Sequence, residues 1–142
     1  MKNYLLILFL CCALSNVKAI ESKIIHKIGN EIITNIDIKK EFKYLIALNN
    51  SLKKLDKEKI LNISNESIIQ EKIKKIELLK NFKEIKLSED YYELLLKDIY
   101  SRLNIKSINE FELYLKDYDL KINDIKTKIT IDALWNELIV QK

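Results

Sequence analysis

The chain has 142 residues, with 25 lysines and arginines against 21 acidic residues and a formal net charge of +4. This near balance argues against a nucleic-acid partner, which usually requires a concentrated basic face. One glycine and no proline leave Asn, Asp and Ser to form the turns, and these residues suit helix caps better than the turns of a many-stranded sheet. A mainly α fold is therefore predicted.

Residues 1–19 have the pattern of a secretory signal peptide. Lys2 precedes an unbroken apolar run over residues 4–14, and the triplet Val17-Lys18-Ala19 has the small residues that a signal peptidase recognises, so cleavage is predicted after this triplet. The apolar run is shorter than the roughly 20 residues of a membrane-spanning helix. A retained membrane anchor is the alternative interpretation.

Cleavage at this point has three consequences for the mature chain. Both cysteines, Cys11 and Cys12, leave with the leader, so no disulfide is expected, although a lipid anchor on Cys12 is an alternative. Loss of two lysines and no acid lowers the formal charge from +4 to +2. Residues 20–142 are expected to form one exported domain without stable membrane insertion.

The first predicted element is a short β-hairpin. Ile24–Ile28 and Glu31–Thr34 flank Gly29-Asn30, a dipeptide suited to a two-residue turn with positive φ angles. With strict alternation, His26 shares a face with the isoleucines at both ends of the first strand. We interpret this histidine as a packing residue, because a metal site would require a second histidine, a cysteine or clustered acids nearby.

Helical signals follow the hairpin. Thr34 and Asp37 have capping-box spacing, and they start a helix that is predicted to run to about Leu48. Segment 49–63 fits either a short helix or a loop. After the central helix described next, three more helices are predicted: one opened by Ser88 and closed by Asn104, one opened by the capping box of Ser107 and Glu110, and one from about Ile122 to Lys142.

The segment Ser64–Leu87 is predicted to be a central helix against which the rest of the chain packs. Ser64 or Asn65 is the expected N-cap. Apolar residues recur at intervals of three and four and define the predicted buried stripe, while lysines surround the opposite side. The stripe consists of Ile69, Ile73, Ile76, Leu79 and Phe82.

Residue patterns assign no catalytic residue, no metal site and no cofactor. Asp117, Asp119 and Asp124 lack the glycine of a calcium-binding EF-hand loop, and Lys121 occupies the position of a third ligand. The sequence has no G-x-S-x-G motif and no glycine-rich phosphate loop. Function therefore has to be inferred from the order of structural features.

That order resembles the N-terminal domain of SurA-type periplasmic chaperones. Gly29–Thr34 followed by Asp37-Ile38 is similar to the opening of that domain, where a hairpin leads into a helix. The likeness covers nearly all of residues 24–140, and it continues in the stretches Ile85–Asp90, Leu103–Ile105, Ser107–Phe111, Asp119–Ile122 and Ile125–Ile129. There are departures: Lys83 and Glu84 stand where the family often has glycine, Asp119 stands where a glycine is common, and Lys126 replaces a frequent arginine.

The resemblance implies a periplasmic chaperone that holds unfolded outer-membrane polypeptides through apolar and aromatic contacts, without ATP. Relatives also carry parvulin-type prolyl isomerase domains, and catalysis would belong to such a domain. Two alternatives stay open: an exported helical adaptor that binds one folded envelope partner, and the N-terminal fragment of a longer prolyl isomerase.

Three aromatic residues are the candidates for a peptide-binding surface. Tyr44, Tyr91 and Trp135 fall at the flanks of their predicted helical stripes. Each combines an apolar ring with a polar tip, which suits a half-wet groove. The alternative is that all three are ordinary boundary residues of the core.

Overall fold

The computed structural model describes residues 21–140, which form five α-helices preceded by a two-stranded antiparallel sheet. The predicted mainly α domain with a short N-terminal hairpin is confirmed. The predicted signal peptide, residues 1–19, lies outside the described residues. The elements are β1 (Ile24–Ile28), β2 (Glu31–Thr34), α1 (Asn35–Leu48), a 3-10 helix (Asn50–Lys54), α2 (Lys57–Asn81), α3 (Glu89–Arg102), α4 (Ile108–Lys116) and α5 (Ile122–Val140).

The hairpin has the predicted two-residue turn and one irregularity. Ile28 pairs with Glu31, and Gly29 alone of the two turn residues has a positive φ, at 58°. The register shifts between Ile24 and His26, so Ile25 is an extra residue that forms a β-bulge. The prediction of strict alternation is wrong here, because the bulge leaves Ile24 63% exposed. His26 Nε2 lies on the inner side and donates to the Asn65 Oδ1 atom of α2 at 2.8 Å.

Helix α1 begins and ends where the sequence predicts. The Thr34 hydroxyl oxygen accepts from the Asp37 backbone N–H at 3.2 Å, and the Thr34 N–H donates to the Asp37 carboxylate at 2.7 Å, which completes a capping box. Asn49 follows α1, and its side-chain oxygen accepts from the Ser51 N–H at 3.1 Å at the start of the 3-10 helix. The segment predicted as a short helix or a loop is therefore this 3-10 helix and the first turns of α2.

Helix α2 differs from the predicted central helix at both ends. It begins at Lys57, because the Asp56 carboxylate accepts from the Lys59 N–H at 2.9 Å and caps the first turn. Ser64, the predicted N-cap, is buried inside the helix and donates its hydroxyl to the Ile60 carbonyl at 2.6 Å. The helix ends at Asn81, and residues 82–88 are irregular.

The predicted buried stripe of α2 also has the wrong phase. Ile73 is 49% exposed and Leu79 is exposed as well, although both belong to that stripe. The buried face includes the polar residue Ser64 at helical spacing, and a pattern that counts only apolar residues misses it. That face consists of Ile60, Ser64, Ile68 and Leu78.

Helix α3 ends in a Schellman motif at the predicted asparagine. Asn104 has a positive φ of 61°. Its N–H donates to the Ser101 carbonyl at 2.9 Å, and the N–H of Ile105 donates to the Tyr100 carbonyl at 3.0 Å. Ser107 is the N-cap of α4, and its hydroxyl oxygen accepts from the backbone N–H three residues later at 3.3 Å. The predicted end of α3 at Asn104 and the predicted N-cap Ser107 are confirmed. Ser88 precedes α3 without a side-chain capping bond, and the Glu110 carboxylate accepts from the Lys106 N–H at 3.1 Å, so the predicted capping box of α4 is only half formed.

A second turn of the Schellman type follows α4. It is centred on Asp119, where SurA-type sequences commonly have glycine. Asp119 has a positive φ of 54°, its N–H donates to the Lys116 carbonyl at 3.0 Å, and the N–H of Leu120 donates to the Leu115 carbonyl at 3.0 Å. The Asp119 carboxylate accepts from Lys43 Nζ at 2.8 Å. Aspartate therefore adopts a left-handed conformation that glycine adopts without steric cost.

Asp119→Gly should raise the melting temperature by about 2–4 °C, because relief of the left-handed strain outweighs the loss of one exposed ion pair. Thermal unfolding followed by circular dichroism measures the change. Asp117→Gly is the matched control, since Asp117 has a helical φ of −63° and glycine there should not stabilise the chain. An equal gain in both variants would contradict the assignment of strain to Asp119.

The core consists of two apolar clusters, and α5 contributes to both. The first cluster lies between α1, α3, α4 and α5, and the second joins α2 to the C-terminal half of α5. Helix α5 therefore links the two halves of the core. The first cluster contains Ala47, Tyr92, Leu96, Phe111, Leu115, Leu120, Ile125 and Ile129, and the second contains Leu78, Ile131, Leu134 and Leu138. Among the described residues, no helix has the length and apolar character needed to cross a membrane.

Candidate functional site

Three helices leave an open groove between them, with a volume of about 420 Å³. Helices α1, α3 and α5 each contribute residues at intervals of three and four, which places each set on one side of its helix. The apolar lining consists of Tyr44 and Leu48 from α1, Tyr91, Leu95 and Ile99 from α3, Leu103 at its end, and Ile129 and Ala133 from α5.

The groove is apolar at its floor and polar at its rim. Ile129 is buried, whereas Tyr91 is 45% exposed at the rim. Among the polar rim residues, Arg102 Nη2 lies 2.9 Å from the Asp98 carboxylate, and the Asp132 carboxylate accepts from Lys74 at 2.6 Å. Exposed ion pairs of this kind contribute little to stability, so a bound ligand can exchange with them at small cost.

Tyr44 connects the groove to a buried ion cluster formed by Glu41, Glu71 and Lys128. Lys128 Nζ lies 2.5 Å from the Glu41 carboxylate and also contacts that of Glu71. The same Nζ lies 4.6 Å from the centroid of the Tyr44 ring, a cation–π contact. The Ser67 hydroxyl donates to Glu41 Oε1 at 2.7 Å. One wall of the groove therefore rests on charged groups from α1, α2 and α5.

The electrostatics of this cluster fix the charge of Lys128 and keep Tyr44 neutral. Burial alone would lower the pKa of Lys128, but the carboxylates of Glu41 and Glu71 outweigh it and the pKa is raised. Burial raises the pKa of Tyr44, and the negative charges of Asp132 and Glu41 add to that rise. Neither group titrates near neutral pH, so their arrangement supports packing rather than proton transfer.

The structure places two of the three predicted binding residues in this groove. Tyr44 and Tyr91 both line it. Trp135 packs instead against the second core cluster, beside Leu134 and Leu138. The next residue, Asn136, does line the groove.

Sequence reasoning missed most of the remaining lining. Leu95 and Ile99 follow Tyr91 at intervals of four and belong to the same row of α3. The spacing of this row could have predicted that Leu95 and Ile99 line the same groove as Tyr91. The α5 residues of the groove gave no such signal, because α5 is buried on several sides.

Other parts of the described chain offer no metal site. No group of three or more His, Cys, Asp or Glu side chains suited to a metal ion occurs within residues 21–140. His26 makes the hydrogen bond to α2 described above, which accounts for one of its ring nitrogens.

Comparison of the chain with protein-family models, with curated proteins and with solved structures finds no match. The similarity to SurA-type chaperones therefore rests on the sequence motifs given above.

Proposed function

We propose that this protein is an exported, ATP-independent chaperone-type domain of the periplasm that binds unfolded outer-membrane polypeptides in the groove between α1, α3 and α5. The observation that carries this proposal is the groove itself, which has an apolar floor, a polar rim and two tyrosines from different helices. Concave apolar sites with a few polar groups are the usual form of ligand sites in proteins.

The dimensions of the groove suit an extended polypeptide. Its α3 side runs from Tyr91 to Leu103, which corresponds to about 18 Å at the rise of an α-helix. An extended chain covers this distance with about five residues, and alternate side chains would point to the floor. Strands of outer-membrane barrels alternate apolar and polar residues and carry aromatic girdles, so their unfolded segments match an apolar floor between polar edges.

The assignment to the periplasm rests on the sequence of the leader, and binding without ATP fits reversible apolar contacts. Tyrosine side chains contribute large contact areas at low entropic cost, and they recur at sites that bind many related partners. Tyr91 is exposed enough to contact a ligand directly, and Tyr44 is held in place by the Lys128 contact. The groove thus combines one accessible aromatic residue with one fixed aromatic residue.

The mature chain should slow the aggregation of an unfolded outer-membrane barrel protein, and Tyr91→Asp should weaken this binding about tenfold by placing a charge at the apolar edge. Leu113→Asp is the matched control, because Leu113 is 62% exposed on α4 and outside the groove. Light scattering during refolding measures aggregation. A Tyr91→Trp variant in a Trp135→Phe background reports peptide binding by fluorescence, because Trp135 lies outside the groove.

The same experiment separates the chaperone from the adaptor. If the folded, monomeric chain binds neither the unfolded barrel protein nor aromatic-rich peptides, the chaperone proposal is wrong and the adaptor interpretation replaces it. If it binds both and Tyr91→Asp binds as well as the unmodified chain, the groove is not the site.

A further inference from the structure

A second apolar surface lies on the outer face of the hairpin and at the start of α1, and none of its residues lines the groove. We define the hairpin patch as Ile24, Ile25, Ile32 and Ile36, which are 63%, 41%, 46% and 41% exposed. The β-bulge at Ile25 creates this surface, because it turns two consecutive isoleucines outward where regular alternation would bury one. Ile32 lies opposite Lys27 in the pairing register, so it belongs to the same outer face.

Exposed lysines border the hairpin patch, and two of its three nearby acids are engaged in other contacts. Lys23, Lys27 and Lys39 are exposed beside the isoleucines. Of the nearby acids, Glu31 lies on the inner side and accepts from Lys72 and Lys75 of α2 at 3.0 and 2.9 Å, which lowers its pKa. Asp37 is engaged in the capping box of α1, and Glu21 is the acidic side chain just before the strand. An exposed apolar patch with a lysine border results.

We propose that the hairpin patch docks the protein on an anionic lipid surface. Isoleucine side chains would enter the boundary between headgroups and acyl chains, while the surrounding lysines contact anionic headgroups. This is peripheral binding that involves no crossing of the bilayer. It is independent of the proposed chaperone function, because none of the hairpin residues lines the groove.

Two other occupants fit the observations less well. A partner strand on the β1 edge would meet a bulge that interrupts the row of backbone groups, and pairing at either edge of this two-stranded sheet would use backbone groups and leave the isoleucines on its face uncovered. A second copy of the chain would form a two-fold interface, which would bring the lysines of both copies together. A flat anionic surface can contact the isoleucines and the lysines at the same time.

The test is sedimentation of the chain from Ile20 with vesicles of equal parts phosphatidylglycerol and phosphatidylcholine, compared with vesicles of phosphatidylcholine alone. This chain contains every described helix and strand. We expect binding to the anionic vesicles only, weakened by added salt. Ile24→Asn with Ile32→Asn should lower the partition coefficient about tenfold or more, because the apolar contact is lost.

Matched controls replace equally exposed residues elsewhere. Ile73→Asn with Ile139→Asn should bind like the unmodified chain, since these residues are 49% and 55% exposed on α2 and α5. Lys27→Glu should also weaken binding, whereas Lys97→Glu on α3 should not. Circular dichroism confirms that each variant is folded, and the Lys27 variant tests the surface without altering its isoleucines.

Four results would overturn the inference. They are the absence of binding to the anionic vesicles, equal binding to vesicles of phosphatidylcholine alone, no effect of the hairpin variants, and a dimer in solution that the isoleucine variant converts to a monomer. The last result would make the hairpin patch an interface between two copies.

Discussion

Lys128→Met should lower the free energy of unfolding by about 3–5 kcal/mol, a large part of the roughly 5–15 kcal/mol that stabilises a typical domain. Lys128 has only 14% of its side chain exposed, and it lies between the carboxylates of Glu41 and Glu71. Methionine keeps most of the side-chain volume and removes the charge. The buried carboxylate of Glu41 and the partly buried carboxylate of Glu71 would then have no cation between them, which is the costly way to break such an ion cluster.

Urea unfolding at neutral pH measures this loss, and Lys43→Met is the matched control. The Lys43 ion pair with Asp119 is exposed, with 41% and 83% of the two side chains accessible, so its removal should change the stability little. Adding Glu41→Leu and Glu71→Gln to Lys128→Met should restore most of the stability, because the uncompensated charges disappear. Equal stability of Lys128→Met and the unmodified chain would show that the buried cluster contributes nothing net.

The pH dependence of this contribution has a definite sign. The folded-state pKa of Lys128 is raised, because the two carboxylates outweigh the opposing effect of burial. The charged lysine contributes its full stabilisation at pH values below its pKa in the unfolded chain, about 10.4. This contribution is lost as the pH rises through the higher pKa of the folded state. The stability difference between the unmodified chain and Lys128→Met should therefore shrink as the pH is raised above this unfolded value.

The start and end of most elements could be predicted from the sequence, because local chemistry determines them. Thr34 with Asp37, and Ser107 with the helix that follows it, satisfy orphan backbone N–H groups in the way their spacing indicates. Asn104 ends α3 because asparagine tolerates the left-handed conformation. These signals depend on residues three or four positions apart, so they can be recognised without knowledge of any tertiary contact.

The phase of α2 could not be predicted in this way, because its inward side carries the polar residue Ser64 and the partly buried Glu71. Ser64 is buried with its hydroxyl bonded to its own helix, and Glu71 is held by Lys128 from α5. An apolar pattern treats both positions as solvent-exposed. The partner of Glu71 lies 57 residues away in the chain, so no local pattern contains that information.

Some residues of the candidate groove could likewise be predicted from the sequence, and others could not. Tyr44 and Tyr91 could be selected because amphipathic residues at the flank of a helical stripe tend to lie at the edge of the core. Trp135 fits the same description but packs into the second cluster, because α5 is contacted from both sides and has no single flank. The hairpin patch was also missed, since a β-bulge shifts alternation without a glycine or any other marker in β1.

Leu78→Asp should unfold the domain, whereas Ile73→Asp should leave it folded. Leu78 is 0% exposed and packs against Ile131, Leu134 and Leu138 of α5, so aspartate there would bury a charge without a partner, at a cost of several kcal/mol. Ile73 is five residues earlier on the same helix and is 49% exposed, so a charge there reaches water and should cost less than about 1 kcal/mol. Far-UV circular dichroism and urea unfolding compare the two variants. Loss of helix in the Ile73 variant, with Leu78→Asp folded, would restore the phase that the apolar pattern predicts and contradict the packing of α2 on α5.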